Sequence, residues 1–371
     1  LSFIVSPLLV VFIAVTAIQV LYYLFFFSRV AFYKFKESKV LLPPVTVIIC
    51  AKDEVNNLRR NLPFLCTQDY PADYEILVVN DSSQDGTMEL LFDLGREYDK
   101  LDYRTIPTDS KVLNGKKFAL TVGVKAAKYE NIILTDADCK PSSSIWLQKM
   151  ASRFSDKKKI VLGFGSYEKG KGLLNACIRY ETFFSALQYL SFALSGLTYM
   201  GVGRNLAYTR TLFFSQNIFV KNPRLISGDD DLLINAVSTS TNTSVCIHKD
   251  GFTESKAKEQ WDEWLYQKRR HMTTAPYYKW YHIFFLTLFQ VTHILFYPLL
   301  MVLILYSNMY TLVLSIFGVR LLLMGLINFF AMKKLKTLDL FIWFPIFDVL
   351  YLIYYFTMLP GIFNKKQTAW K

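Results

Sequence analysis

The chain has 371 residues, 52% of them hydrophobic and 16% aromatic, and a mean hydropathy of +0.24, too apolar for an ordinary water-soluble protein. Its 42 Lys and Arg against 30 Asp and Glu leave a net charge of +12, and many of the cations flank apolar runs, which points to a membrane surface rather than to nucleic acid. A disordered, collagenous or disulfide-stapled chain is excluded, since the five cysteines (Cys50, Cys66, Cys139, Cys177, Cys246) are odd in number and show no C-x-x-C spacing.

In chain order, residues 8–27 carry only Thr16 and Gln19 as polar members and suffice to span a bilayer as a helix. Arg29, Lys34, Lys36 and Lys39 follow at once, so the run reads as a signal anchor with a cytoplasmic sequel. Residues 29–280 have ordinary polarity. Within them β-branched runs at 45–50, 75–79 and 131–135 alternate with helical patterns at 54–65, 87–98 and 118–128, the β-α-β order of a mostly parallel sheet.

Each of those strands runs directly into acidic residues, namely Asp53 and Glu54, Asp81, and Asp136 with Asp138. Ligands of such sheets gather beyond the carboxyl ends of the strands. For Asp53 alone a turn or helix cap is the better reading. Asp136-Ala137-Asp138 puts two hard carboxylates around one small residue, a pair that suits Mg2+ or Mn2+ beside a diphosphate. In the segment 78–87, Asp85-Gly86-Thr87 reads as a turn entering a capped helix, which leaves Asp81 as the nucleotide ligand. Gly115-Lys116-Lys117 sets two cations at a helix start, useful against phosphate oxygens.

Residues 183–200 are apolar with scattered Ser, Gln and Thr; an interfacial or core helix is expected, because a crossing would separate Asp138 from Asp230. Gly201-Val202-Gly203-Arg204-Asn205 follows, its glycines permitting close approach of another group. Ser227-Gly228-Asp229-Asp230-Asp231 precedes Leu232-Leu233-Ile234, and acids there also favour a helix dipole. Farther on, Gln267, Arg270 and His271 share a helical face, being three and four residues apart, in an amphipathic segment with Trp261, Trp264 and Leu265. A basic helix lying at lipid headgroups is the alternative for this stretch. His248, His282 and His293 show no metal-ligand spacing.

Three apolar stretches close the chain, 281–306, 309–332 and 340–363, the first pair a helical hairpin turning at Ser307-Asn308. Lys333-Lys334-Leu335-Lys336 belongs inside by charge, yet a third crossing would then put Lys365 and Lys366 outside. Pro345 and Asp348 interrupt the last stretch, so crossing, re-entrant and interfacial readings all stay open. Arg320 and Asp348 fall at similar depth, which suggests an ion pair, with Arg320 snorkelling to the headgroups as the alternative.

In order and spacing, residues 45–54, 75–87, 115–120 and 135–139 resemble the successive signatures of the family 2 glycosyltransferases, in particular the membrane-anchored group of cellulose and hyaluronan synthases and ceramide glucosyltransferases. The resemblance covers roughly residues 43–275 and implies an α/β GT-A fold with transmembrane helices at both ends. It further implies metal-dependent, inverting transfer from a nucleotide-sugar, UDP-linked by expectation, to a lipid-linked or growing glycan acceptor. On that pattern Ala51, Asp53, Glu54, Asp81, Lys116, Lys117 and Asp136 attend the nucleotide, and Asp138 with Asp136 holds the metal. Asp230 is the catalytic base, Gln267 and Arg270 lie near the diphosphate and acceptor, and Asn205 and Asp229 are on the acceptor side. Departures are Asp53 where Asn is frequent, Asn80 where a first Asp is usual, and His271 where Trp is typical. The expected division is an N-terminal helix at 1–28, a cytoplasmic catalytic domain at 29–280 and a membrane region of two to three helices at 281–371, in the inner (plasma) membrane among its lipids and without a nucleic-acid partner. A non-catalytic scaffold or sensor that binds nucleotide-sugar is the alternative, and Asp136, Asp138 and Asp230 speak against it.

Overall fold

The structure, a computed structural model, describes residues 2–37, 41–107, 116–216 and 228–363. Lys39, Gly115, Ser227, Lys365 and Lys366 therefore lie outside the described residues.

The predicted strands form at Val45–Ala51 (β1), Tyr74–Asp81 (β2) and Asn131–Leu134 (β4), with Leu101–Ile106 as β3. β1, β2, β3 and β4 pair in parallel in the order β3-β2-β1-β4. Every residue of β1 is buried, as expected of a central strand covered by helices on both faces. The sheet continues antiparallel through Leu206–Thr209 (β8) to Ile160–Leu162 (β6) and ends on Thr243–Val245 (β9). Cys139–Pro141 (β5), Gly165–Tyr167 (β7) and Thr253–Ser255 (β10) form a second, three-stranded sheet beside the carboxyl edge of β4. Helices Val55–Cys66, Thr87–Glu97 and Lys116–Ala126 supply the crossovers.

The apolar segment expected as a helix at 183–200 is helical through Leu194, as the second half of a helix at Leu173–Leu194 that is buried there on nearly all sides, and residues 195–200 follow as a turn and irregular chain. One flank meets the α/β domain, where the Tyr189 hydroxyl donates to the Gly163 carbonyl at 2.8 Å. The other meets apolar helices, through Phe26 on Phe192 at 4.6 Å and Tyr180 on Phe347 at 4.5 Å between ring centroids. A helix buried all round has no polar face to show, which is why its sequence mimics a span.

Four helices among the described residues are long and apolar enough to cross a membrane: Pro7–Ala31, Trp280–Tyr306, Tyr310–Lys334 and Leu338–Met358. The N-terminal helix packs along Trp280–Tyr306 through stacked Phe12 and Phe296, and Gln19 donates to the Thr292 carbonyl at 2.9 Å. The suggested ion pair is formed: Arg320 donates through Nη2 to Asp348 Oδ2 at 3.0 Å and through Nε to Gln19 Oε1 at 2.8 Å. Asp348 also pairs with His293 Nε2 at 3.0 Å and accepts from the Tyr297 hydroxyl. Arg320 is wholly buried, so it does not snorkel. At the other end of the same helices Arg179 grips Asp339 with two bonds of 2.7 Å, which fixes the turn after Lys334 on the α/β domain's side.

Candidate active site

One cavity of about 580 Å3 opens at the carboxyl ends of β1 and β4. Of the residues predicted from sequence, Glu54, Lys116, Asp136, Asp138, Asp229, Asp230, Gln267 and Arg270 line it together, although they come from segments more than 200 positions apart. The parallel sheet brings the acidic turns to one edge, and antiparallel β8 returns the chain to the same edge.

Asp136 and Asp138 stand just beyond β4 with Cys139, their candidate ligand atoms within 4.8 Å of one another. Burial, then the neighbouring Asp136, pushes the Asp138 carboxyl above its usual range, whereas against its own burial Asp136 is held low by Lys116, whose Nζ lies 2.5 Å from Asp136 Oδ1. Lys116 also approaches Asp229 Oδ2 at 3.6 Å. Cys139 stays a thiol because burial raises it, and its Sγ donates to Asp138 Oδ1 at 3.3 Å. With Cys139 kept a thiol, the two crowded carboxylates are left as an oxygen donor pair suited to a hard divalent ion such as Mg2+ or Mn2+.

The three consecutive aspartates separate into three environments. Asp229 faces Lys116. Asp230 caps the helix Asp231–Val237 and accepts the N–H groups of Gly203 at 2.7 Å and Asp231 at 2.8 Å. Burial, followed by the charges of Asp229 and Asp231, pushes its carboxyl up to about 8, with Lys116 and the Gly203 N–H opposing. A Cβ on residue 203 would meet Lys116 Nζ at 3.4 Å and Asp230 Oδ2 at 3.5 Å, so this glycine lets the backbone donate at such short range. Asp231 turns away from the other two and accepts the hydroxyls of Thr274 and of Tyr278, the latter at 2.8 Å, tying the acidic turn to the segment after helix Trp261–Met272.

That helix turns Gln267, Arg270 and His271 onto the cavity wall, as their spacing requires. Gln267 Oε1 is buried without a hydrogen-bond partner and Arg270 makes no ion pair among the described residues, so both are available to a ligand. Confinement and then the cations Arg270 and Lys268 keep His271 neutral, its pKa well below the usual imidazole value. Lys268 bridges to Glu181 of the helix Leu173–Leu194, and Trp264 stacks on Tyr354 at 5.7 Å, so the amphipathic helix is docked on protein on two sides.

Other predicted residues stand elsewhere. Ala51, Asp53 and Asp81 sit at the neighbouring ends of β1 and β2, outside the cavity lining. Asp53 adopts φ 55°, accepts the Gln84 N–H at 2.8 Å and donates its own N–H to Ser83 Oγ at 2.9 Å, which locks the two loops together as the turn reading anticipates. Lys117 is buried in the domain rather than in the cavity wall. Asn205 requires a correction: its amide is 1% exposed, with Nδ2 donating to the carbonyls of Phe164 at 3.0 Å and Gly251 at 2.8 Å, and Oδ1 accepting from Trp146 at 3.2 Å. All its polar capacity goes to holding the wall, leaving nothing to offer an acceptor. The adjacent Arg204 lines the cavity instead, its guanidinium 4.3 Å from the Tyr167 ring and acting electrostatically on Asp136 and Asp138. Its place as the sole cation of the Gly201–Asn205 turn was the available signal.

From these polar ends the cavity runs between the apolar helices, lined by Ile283, Leu286, Gln290, Tyr354, Tyr355 and Met358.

Residues 46–213 match the model of glycosyl transferase family 2. Beta-monoglucosyldiacylglycerol synthase of Trichormus variabilis is 34% identical over 125 residues, 33% of this chain and 25% of the relative. Glycosyltransferase AglE of Haloferax volcanii is 29% identical over 181 residues, 48% of this chain and 54% of the relative. The chain thus spans between about a quarter and about half the length of these curated relatives. In structure it resembles the mannosyltransferase PcManGT of Pyrobaculum calidifontis, solved in complex with GDP-Man and Mn2+, with a TM-score of 0.55 at 18% identity over 88% of this chain and 99% of the other. The α/β domain accordingly has the GT-A fold, and its residues 46–213 carry the match to glycosyl transferase family 2.

Proposed function

We propose that this protein is a membrane-bound inverting glycosyltransferase that moves a sugar from a nucleotide-sugar to a hydroxyl of a lipid-linked acceptor. The observation that carries this reading is the continuity of one cavity from Asp138 and Asp230 to Gln290, Tyr354 and Met358 between two apolar helices. An acceptor with an apolar tail can occupy the helical end while its hydroxyl reaches the carboxylates. The glucosyldiacylglycerol synthase among the relatives agrees with such a substrate.

Asp230 acts as general base: it takes the acceptor hydroxyl's proton while that oxygen bonds to the anomeric carbon and the bond to the diphosphate oxygen breaks on the opposite face. Lys116, Arg204 and Arg270 receive the negative charge developing on the diphosphate, and Gln267 orients it. Asp136 and Asp138 would hold a divalent ion, which, when bound, adds to that neutralisation. Ala51, Asp53, Glu54, Asp81 and Lys117 form the nucleotide side, by direct contact or by holding the loops. The domain division at 28 and 280 is retained, with the catalytic domain and the Lys333–Lys336 turn in the cytoplasm, since the Arg179–Asp339 pair keeps them together and charge favours that side.

The test is release of nucleoside diphosphate from a panel of nucleotide-sugars by membranes containing the wild type, with total lipid extract as acceptor and Mg2+, Mn2+ or chelator. Release that needs metal, lipid and Asp230 is expected. Lipid-independent release of equal rate would refute the acceptor, and no release from any donor would refute the transferase.

A further inference from the structure

A second cavity of about 420 Å3 lies between the three-stranded sheet of the catalytic domain and the turn joining the last two apolar helices. Phe164, Tyr167 and Thr182 line both cavities and so stand between them. The second one carries an excess of positive charge, with five Lys and Arg against Glu254 and Asp339. Arg179 and Lys169 are taken up by Asp339, at 2.7 and 3.3 Å, and the Lys140 ammonium rests over the Phe64 ring at 3.9 Å. Lys249 and Lys336 are exposed and make no ion pair among the described residues.

Two hydroxyls in the same wall point to a ligand independently of the charge. Thr182 and Thr337 are 6% and 4% exposed, and the Oγ1 of each is buried with no hydrogen-bond partner among the described residues. Buried hydroxyls are nearly always paired, and these two, on side chains that line a cavity beside ammonium groups with no ion pair among the described residues, lack an acceptor.

The position of the cavity identifies the source of that acceptor. Tyr310–Lys334 ends on Lys333 and Lys334, Lys336 and Thr337 make the turn, and Leu338 begins the next apolar segment, so the wall stands at headgroup level on the catalytic domain's side. We propose that this cavity binds the phosphate of a membrane phospholipid headgroup and thereby fastens the small sheet of the catalytic domain to the bilayer surface. The ligand is separate from donor and acceptor, whose phosphates and hydroxyls belong to the neighbouring cavity.

The experiment is native mass spectrometry of the full chain purified in detergent and titrated with phosphatidylglycerol, with diacylglycerol of the same tails, or with glycerol 3-phosphate as the phosphate without tails. The wild type should retain one phosphatidylglycerol that diacylglycerol, even where it occupies the neighbouring acceptor cavity, does not displace, with Lys249→Ala/Lys336→Ala binding about tenfold more weakly, given the attraction each surface lysine contributes. Thr337→Val should weaken retention with the charge unchanged. Lys333→Ala/Lys334→Ala, outside the cavity lining, should retain the lipid as the wild type does. Equal loss in the Lys333/Lys334 variant would reduce the effect to diffuse surface charge and overturn the site. So would unchanged retention in the Lys249/Lys336 variant, while displacement by glycerol 3-phosphate at matching concentration would overturn the lipid source. Retention is read without sugar transfer, so its failure is distinct from a failure of the proposed reaction.

Discussion

Two buried clusters of ionised side chains organise this molecule, and they differ in whether the protein satisfies its own charges. Among the four long apolar helices, Asp348 receives Arg320, His293 and Tyr297, and Arg320 in turn has Gln19 and the Phe296 ring at 4.1 Å. In the catalytic cavity Asp138 and Asp230 are pushed upward by burial and by neighbouring carboxylates, while among the described residues Arg270 makes no ion pair and Gln267 Oε1 has no hydrogen-bond partner. The first arrangement pairs its charges with one another and holds helices together, with only Arg320 Nη1 and His293 Nδ1 left without a hydrogen-bond partner among its described charged groups. The second is open, with anions and cations separated by space that a charged ligand fills.

This contrast can be broken from either side, beginning with the largest expected effect. Asp230→Asn should lower the rate of nucleoside diphosphate release by about 10²–10⁴-fold, the span of general-base catalysis, with thermal stability preserved. Chelation, or Asp138→Ala, should abolish metal-dependent binding of the nucleotide-sugar, measured by calorimetry. In the membrane cluster the loss should fall on stability: Asp348→Asn or Arg320→Met leaves a buried partner uncompensated, at a cost of about 3–5 kcal/mol. Thermal unfolding in detergent would register it, and Arg320→Met with Asp348→Leu should be more stable than either single change. Retained stability in the single variants would mean that the pairing does not hold the helices together.

The pH profile sharpens the comparison more finely. A base must be ionised to accept a proton, and burial together with Asp229 and Asp231 places Asp230 at about 8. Transfer should therefore rise with pH up to that region, losing about tenfold per unit on the acid side. A plateau beginning in the ordinary carboxylate range would assign the base elsewhere. The smallest effect expected is that of Asn205→Ala, which removes three internal bonds and should reduce stability by about 1–3 kcal/mol with KM for the acceptor nearly unchanged. A selective rise in acceptor KM would restore the residue's predicted contact role.

Much of the cavity is legible in the chain because its chemistry is local. Asp136 and Asp138 follow an apolar strand directly, and the three and four residue spacings of Gln267, Arg270 and His271 can only face one way on a helix. What is hidden depends on partners far along the chain. Nothing around Asp231 distinguishes it from Asp230 until Tyr278, 47 positions away, donates to it. Asn205 and Arg204 are adjacent polar residues in one turn, and only the carbonyls of Phe164 and Gly251 decide which is consumed in the wall and which faces the cavity.

The sequence by itself determined the parallel strands with acidic ends, the cavity-facing stripe of the basic helix and the apolar runs long enough for a bilayer, since each follows from periodicity or length within one segment. It also limited the reading of Arg320 to two choices. Tertiary structure decided between them, because an arginine stays buried among apolar helices only where groups such as Asp348 and Gln19 meet it from other helices. It likewise decided that the apolar helix Leu173–Leu194 is core, that the carboxylates share one cavity with the membrane helices, and that Arg179 ties that assembly to Asp339. Burial and pairing are properties of what lies on the other side of a side chain, and no single segment carries that information.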